Sequence, residues 1–95
     1  MDRQTGELTF LTNHAHVLMV IAREPSARLR DIAARCHISQ RTALKIVSDL
    51  EEAGYLSRAR DGRRTTYTLH LEGGLNHPAE AHVPVRRLVE SLKLP

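Results

Sequence analysis

Two short stretches of the sequence concentrate side chains that could make directed polar contacts with a polyanion. The first surrounds Arg41, and the second surrounds the dipeptide Asp61-Gly62. A guanidinium group donates a fork of hydrogen bonds that fits a phosphate or the O6 and N7 acceptors of guanine, and a glutamine amide fits adenine in a similar way. Both stretches therefore favour contact with duplex DNA. The candidate residues are Ser39, Gln40, Arg41, Thr42, Leu44, Lys45 and Ser48 in the first stretch, and Arg58, Arg60, Arg63 and Arg64 in the second.

The charge distribution agrees with this hypothesis without requiring it. The chain has 14 basic and 11 acidic residues, a net charge of +3 and a pI near 9.6. Residues 23–64 contain ten basic and six acidic side chains, a net of +4, whereas the rest contains four and five, a net of −1. The excess positive charge therefore belongs to the middle of the chain, where a polyanionic partner would bind.

Length and composition predict one domain over residues 1–95. Of the 95 residues, 41% are hydrophobic, Trp is absent and Phe occurs once, so the core should be aliphatic. The single cysteine, Cys36, excludes an intrachain disulfide. The first residues lack a signal-peptide pattern, and the longest apolar run, residues 17–22, is too short to cross a bilayer. We expect a cytoplasmic chain that does not enter a membrane.

Apolar periodicity predicts three helices before Gly54. The first covers residues 13–24, with Thr12 or Asn13 as its cap and Pro25 at its end. A short second helix and a longer third helix, residues 39–53, form a helix-turn-helix over residues 29–53, because a bend of about four residues separates them. The predicted core stripes are Val17, Leu18, Ile21 and Ala22; Leu29, Ile32, Ala33 and Cys36; and Ala43, Ile46, Val47 and Leu50.

The core stripe of the third helix determines which side chains face outward. Gln40, Arg41, Leu44, Lys45 and Ser48 lie on the opposite arc, which could enter a major groove. Arg41 would then pair with guanine, Gln40 with adenine and Lys45 with a phosphate. Leu44 could contact a thymine methyl group, or it could pack on the stems of Arg41 and Lys45.

A β-hairpin, the wing, is predicted over residues 55–71, with strands at 55–60 and 63–71. If Asp61-Gly62 forms the two-residue loop, Arg60 faces Arg63 across the strands and Arg58 lies on the same face. Facing like charges destabilise a hairpin unless anions neutralise them, so we expect DNA phosphates or the minor groove to do so. A longer loop would change these pairs, and the tip could instead be a solvated charged loop.

The remaining segments complete the predicted architecture. Residues 72–83 form a connecting loop, and Pro84 begins a C-terminal helix at 84–94. Residues 1–11 are a lead-in whose apolar Leu8, Phe10 and Leu11 could cover the edge of the core. The predicted fold class is α+β, mostly α: a winged helix-turn-helix with a three-helix core, a hairpin wing and an added helix. A first helix with a second apolar face predicts a homodimer through residues 13–24 and 84–94.

The run from Leu29 to His70, LRDIAARCHISQRTALKIVSDLEEAGYLSRARDGRRTTYTLH, resembles the winged helix-turn-helix of MarR-like bacterial transcription regulators. The resemblance lies in the order of an L-x-x-I-A helix, a capping Ser, a recognition helix ending in L-E-x-x-G-Y-L, and a basic hairpin. It implies a sequence-specific DNA-binding regulator. Two departures are a chain shorter than typical members and His37, which stands where such proteins usually have Gly and would need a left-handed backbone.

Other residue patterns suggest alternatives that have weaker support than the DNA-binding hypothesis. Cys36 could be a redox switch, but its place in an apolar stripe favours packing. The six histidines show no ligand spacing, so we expect no metal or other cofactor, although a metal- or ligand-responsive repressor stays possible. No nucleophile, base and carboxylate set indicates an enzyme. A winged-helix module for protein contacts is the main alternative, but it would not need arginines at both the helix and the wing.

Overall fold

The structure is a computed structural model that describes residues 9–93. Its elements follow the predicted order of three helices, an antiparallel hairpin and a fourth helix, which confirms the mostly helical winged-helix fold class. None of the helices within residues 9–93 is long and apolar enough to span a membrane. The elements are α1 (Asn13–Arg23), α2 (Leu29–Cys36), α3 (Gln40–Glu52), β1 (Leu56–Asp61), β2 (Arg64–Leu69) and α4 (Val85–Lys93).

The helix boundaries follow from local capping chemistry. Thr12 caps α1 by accepting a hydrogen bond from the Ala15 N–H at 3.4 Å. Ser39 caps α3 in the same way, accepting from the Thr42 N–H at 3.0 Å. Gly54 ends α3 at φ +89°, a left-handed conformation in which a residue without a Cβ is not strained.

His37 ends α2 in the left-handed conformation that the sequence required of it. Its φ and ψ are 57° and 43°, and it is the one non-glycine residue with positive φ in the part of the chain that the structure describes. Its N–H donates to the Ala34 carbonyl, and the N–H of Ile38 donates to the Ala33 carbonyl at 3.0 Å. These two bonds satisfy carbonyls at the end of α2 and turn the chain toward α3.

One buried cluster joins the helices to the hairpin. Ile21 of α1, Ile32 of α2, Val47 of α3 and Leu56 of β1 are almost completely excluded from solvent. The predicted aliphatic core is thus found, but Ala22, Leu29 and Cys36 of the predicted stripes are only half-buried at its edge. Tyr67 is the one aromatic member of the core among the described residues. The full cluster is Val17, Leu18, Ile21, Ile32, Ala33, Ala43, Ile46, Val47, Leu50, Leu56, Tyr67, Leu71, Val85 and Val89.

The wing has a different register from the predicted one. The two-residue loop is Gly62-Arg63, not Asp61-Gly62, so Asp61 pairs with Arg64 and Arg60 pairs with Thr65. Gly62 has φ +64°, and only this first loop position has positive φ, the pattern of a type II′ turn, which favours Gly there. The predicted Arg60–Arg63 repulsion was therefore wrong. An opposite-charge pair faces across the strands beside the loop instead.

The segment after the wing contains no helix or strand, as predicted for residues 72–83, but it is held in place. Gly74 forms an isolated β-bridge with Pro84, and the Tyr55 hydroxyl donates to the Gly74 carbonyl at 3.2 Å. A Cβ at Gly74 would collide with the Ala81 carbonyl oxygen, so this position needs glycine for close approach. The segment places α4 against α1, and Arg23 of α1 donates to the Leu92 carbonyl of α4 at 3.1 Å.

The predicted role of the lead-in is not seen for its one aromatic residue. Phe10 is 93% exposed, so it does not cover the core edge. Leu11 is half-buried, and Leu8 lies outside the described residues.

Replacing His37 by Gly should stabilise the fold. A left-handed conformation strains a residue with a Cβ, and the greater entropy of an unfolded glycine offsets part of the gain, so we expect a net increase of about 0.5–1 kcal/mol in the free energy of unfolding. Urea denaturation measures it. The control is His37→Ala, which removes the imidazole but keeps the Cβ. An equal gain in both variants would show that the backbone conformation is not the cause.

Candidate nucleic-acid interface

The outward arc of α3 is where the sequence predicted it. Ala43 and Val47 are fully buried, while Gln40, Arg41 and Lys45 on the opposite side are exposed. Thr42 is also exposed, and Ser48 is half-buried at the edge of the arc. Leu44 is 46% exposed, which is unusual for a large apolar side chain in this molecule. The arc therefore presents hydrogen-bond donors around one accessible apolar side chain.

Ser39 and Thr42 are occupied by the helix cap. The Ser39 hydroxyl accepts from the Thr42 N–H and donates to the Thr42 hydroxyl, both at 3.0 Å. These contacts fix the backbone at the start of α3. As a result, the exposed Gln40 and Arg41 lie in the first turn of a capped helix and not on a frayed end.

Lys45 belongs to a hydrogen-bonded set of side chains that connects α3 with α1. Its Nζ lies 2.6 Å from Asp49 Oδ1, and His14 Nε2 lies 2.9 Å from Asp49 Oδ2. The hydrogen bond from His14, followed by that from Lys45, holds the pKa of the Asp49 carboxyl below its ordinary value. The bond to Asp49 raises the pKa of Lys45. Lys45 therefore stays charged, and its ammonium is drawn toward Asp49.

The four predicted wing arginines have different surroundings. Arg58 donates from Nε and a terminal nitrogen to Glu51 Oε1 at 3.0 and 2.7 Å, which links β1 to the end of α3 and lowers the pKa of Glu51. Arg64 donates to the Ser26 carbonyl at 2.7 Å. Arg63 occupies the loop, and Arg60 faces Thr65. The structure therefore brings the four arginines to one hairpin but not to one face.

A groove separates the exposed arc of α3 from the wing. Leu44 of α3 and Leu29 of α2 line one side, and Arg60 lines the other beside Arg58, Thr65 and Tyr67. Its walls carry two guanidinium groups, and no carboxylate is among the described residues that line it. This groove joins the two stretches that the sequence singled out.

Cys36 and the histidines are the other residues that could react or bind a metal. Cys36 is half-buried against the core, and burial raises the pKa of its thiol, which disfavours the reactive thiolate. Within residues 9–93, no group of three or more His, Cys, Asp or Glu side chains is arranged to hold a metal ion.

Sequence reasoning missed the carboxylate partners of the interface. The Lys45–Asp49 pair has the i, i+4 spacing of a helix and could have been found from the sequence. The contacts of His14 with Asp49 and of Arg64 with Ser26 join residues 35 and 38 positions apart, so no local pattern indicates them.

Comparison with known proteins decides the family. The model of the MarR family matches residues 8–64, which is more than half of the chain. The chain belongs to the MarR family. No curated protein matches the chain at the level of its sequence.

Solved structures share the fold of this MarR-family chain at low identity. Lactococcus lactis ZitR, solved in complex with DNA, is 21% identical with a TM-score of 0.56, and the match covers 67% of this chain and 45% of ZitR. The Streptomyces coelicolor regulator PcaV, solved with its natural ligand, is 22% identical with a TM-score of 0.56, and the match covers 86% and 60%. The chain thus spans about half the length of the structures that it matches.

Removing His14 should raise the pKa of Asp49. The folded-state pKa of Asp49 is lowered, so its contribution to stability is present above the ordinary carboxyl pKa and is lost as the pH falls through the folded-state value. His14→Ala and Lys45→Ala should each move the titration of Asp49 upward, as followed by carboxyl carbon NMR shifts. His16→Ala is the control, because His16 contacts Asn13 and not Asp49. An unchanged Asp49 titration in His14→Ala would contradict the assigned contact.

Proposed function

We propose that this MarR-family chain is a DNA-binding transcription regulator that reads duplex sequence with α3. The observation that carries the proposal is the exposed arc of α3 standing beside an arginine-bearing wing across a groove without carboxylates among its described residues. An α-helix fits the major groove of B-DNA, and a neighbouring basic hairpin can then contact the backbone or minor groove.

Base recognition is assigned to the first two turns of α3. Arg41 would donate both arms of its guanidinium to guanine O6 and N7, and Gln40 would pair with adenine. Leu44, exposed at the centre of the arc, would contact a thymine methyl group. Ser39 and Thr42 would contribute mainly by holding this turn, since their hydroxyls already form the cap. Ser48, half-buried at the edge of the arc, would approach the DNA backbone.

Backbone contacts are assigned to Lys45 and the wing. Lys45 would exchange Asp49 for a phosphate, with His14 still holding the Asp49 carboxylate. Arg60 and Arg63 would contact phosphates or enter the minor groove, where narrow A·T tracts attract arginine. Arg58 would serve mostly through its bond to Glu51, which sets the position of the wing relative to α3.

The comparisons support the proposal at the level of family and fold. ZitR was solved on DNA, so the fold shared by the two chains is one that DNA accommodates. We further propose that the chain works in the cytoplasm, needs no cofactor for DNA binding and catalyses no reaction. If the same surface served protein contacts instead, the affinity of the chain for duplex DNA would not depend on the DNA sequence.

Two arginine variants should separate base reading from backbone contact. Arg41→Ala should relax sequence preference, whereas Arg63→Ala should weaken binding to all sequences and lower the slope of log affinity against log salt by about one unit. Selection of bound sites from random duplexes, followed by salt titration, measures both effects. Arg87→Ala, an exposed arginine of α4, is the control. Unchanged affinity and preference in both test variants would reject this DNA surface.

We also propose that the chain acts as a homodimer through α1 and α4, which would let two copies of α3 meet two half-sites. Met19, Val20 and Leu92 line an open groove bordered by α1, the end of α2 and the end of α4, and they are only half-buried within one chain.

Sedimentation at tens of micromolar should therefore give a dimer mass. Met19→Glu should shift the mass toward a monomer, because it places a charge in the proposed apolar contact. Leu44→Glu, which changes a residue of the groove beside the wing, should leave the dimer intact. A monomer mass for the unmodified chain, with and without DNA, would contradict the dimer.

A further inference from the structure

A second basic groove lies between the start of α2 and β2, and it adjoins the first groove because Leu29, Thr65 and Tyr67 line both. Arg28, Arg63 and Arg64 line it together with Thr65 and Tyr67. Arg28 lies outside both stretches that the sequence singled out, and only the fold brings it to the wing. No residue of the described chain that lines this groove carries a carboxylate. Arg28 and Arg64 also border the neighbouring groove, which Glu24 and Asp31 line.

The backbone around this groove is fixed by hydrogen bonds between its two sides. The Tyr67 N–H donates to the Pro25 carbonyl at 3.0 Å, which joins β2 to the turn before α2. Arg64 donates to the Ser26 carbonyl at 2.7 Å across the same boundary. The Arg28 carbonyl accepts the N–H groups of Asp31 and Ile32 at 2.9 and 3.0 Å. These hydrogen bonds hold the backbone at Arg28 and the wing in fixed relative positions, so a ligand does not have to bring them together.

Three guanidinium groups around one groove repel one another, and a phosphate relieves that repulsion while accepting their hydrogen bonds. Some arginines of the chain already have carboxylate partners: Arg35 pairs with Glu24, and Arg86 pairs with Glu72 at 2.8 Å. The three arginines that line this groove meet no carboxylate among its lining residues. Thr65, which also lines the groove, adds a hydroxyl that can donate to a phosphate oxygen.

We propose that Arg28, Arg63 and Arg64 bind one backbone phosphate of duplex DNA, outside the segment contacted by α3. The inference rests on the proposed DNA-binding function and extends it to a residue on α2's N-terminal side. Arg64, which is held by Ser26, supplies a fixed charge, and Arg28 and Arg63 close on the phosphate from either side. This phosphate contact adds affinity and fixes the register of the protein on DNA without reading sequence.

The test combines a protein variant with a DNA variant. Arg28→Ala should bind every duplex more weakly and lower the salt slope by about one unit, so the loss of affinity between about 50 and 200 mM salt becomes about fourfold smaller. A scan of duplexes with single neutral methylphosphonates should find one position that weakens the unmodified chain but does not weaken Arg28→Ala further. Arg87→Ala is the matched control and should keep both the slope and the sensitive position.

The possible results separate this inference from the function on which it rests. If Arg28→Ala keeps the slope of the unmodified chain while Arg63→Ala lowers it, the DNA surface stands and the Arg28 site is wrong. If Arg28→Ala lowers the slope but the same methylphosphonate still weakens it, Arg28 acts through the general field and the local site is also wrong. If the unmodified chain binds no duplex, both proposals fail. Thermal unfolding of Arg28→Ala close to that of the unmodified chain is expected, because the Arg28 side chain makes no capping hydrogen bond.

Discussion

The burial of one face of α3 is the constraint on which the rest of the candidate interface depends. Ala43 and Val47 are fully buried, and the small Ala43 allows the backbone of α3 to approach α1 and α2 closely. Rotating α3 by one residue would expose this face and bury charged groups, at a cost larger than any single surface contact could offset. Hydrophobic packing therefore determines which residues face outward, and the exposed polar arc consists of the residues that lie outside the buried stripe.

The wing depends on the same packing, because two strands alone are only marginally stable in water. Leu56 and Tyr67 bury the base of the hairpin in the core, and the Tyr67 N–H bonds to the Pro25 carbonyl. The Arg58–Glu51 pair adds a direct link to the end of α3. Beyond Arg60, the bond from Arg64 to the Ser26 carbonyl ties the hairpin to the turn before α2. The base of the wing therefore keeps a fixed position relative to α3.

Local sequence signals predicted the helices and their ends well, since caps and apolar spacing act within a few residues. Ser39, Gly54 and the left-handed His37 are examples in which chemistry at one position fixes the chain path. The predicted register of the wing was wrong, because the loop lies one residue later and begins after Asp61. Both Asp-Gly and Gly-Arg can form two-residue loops, and the choice depends on pairs formed along the whole hairpin, where Asp61 gains an opposite charge.

The contacts that distinguish one arginine from another were beyond sequence reasoning, because they arise from tertiary proximity. In the sequence, Arg58 and Arg64 look equivalent to Arg60 and Arg63, yet a carboxylate holds the first and a backbone carbonyl holds the second. Exposed ion pairs stabilise a fold only weakly, so such partners mainly direct the side chain. They also change what a cation can contribute to binding, since a charge with a carboxylate beside it must lose or share that partner first. A count of basic residues therefore overestimates the positive charge that is available to a polyanion. The described residues that line the two grooves beside the wing include arginines and no carboxylate, so these arginines differ from those already paired.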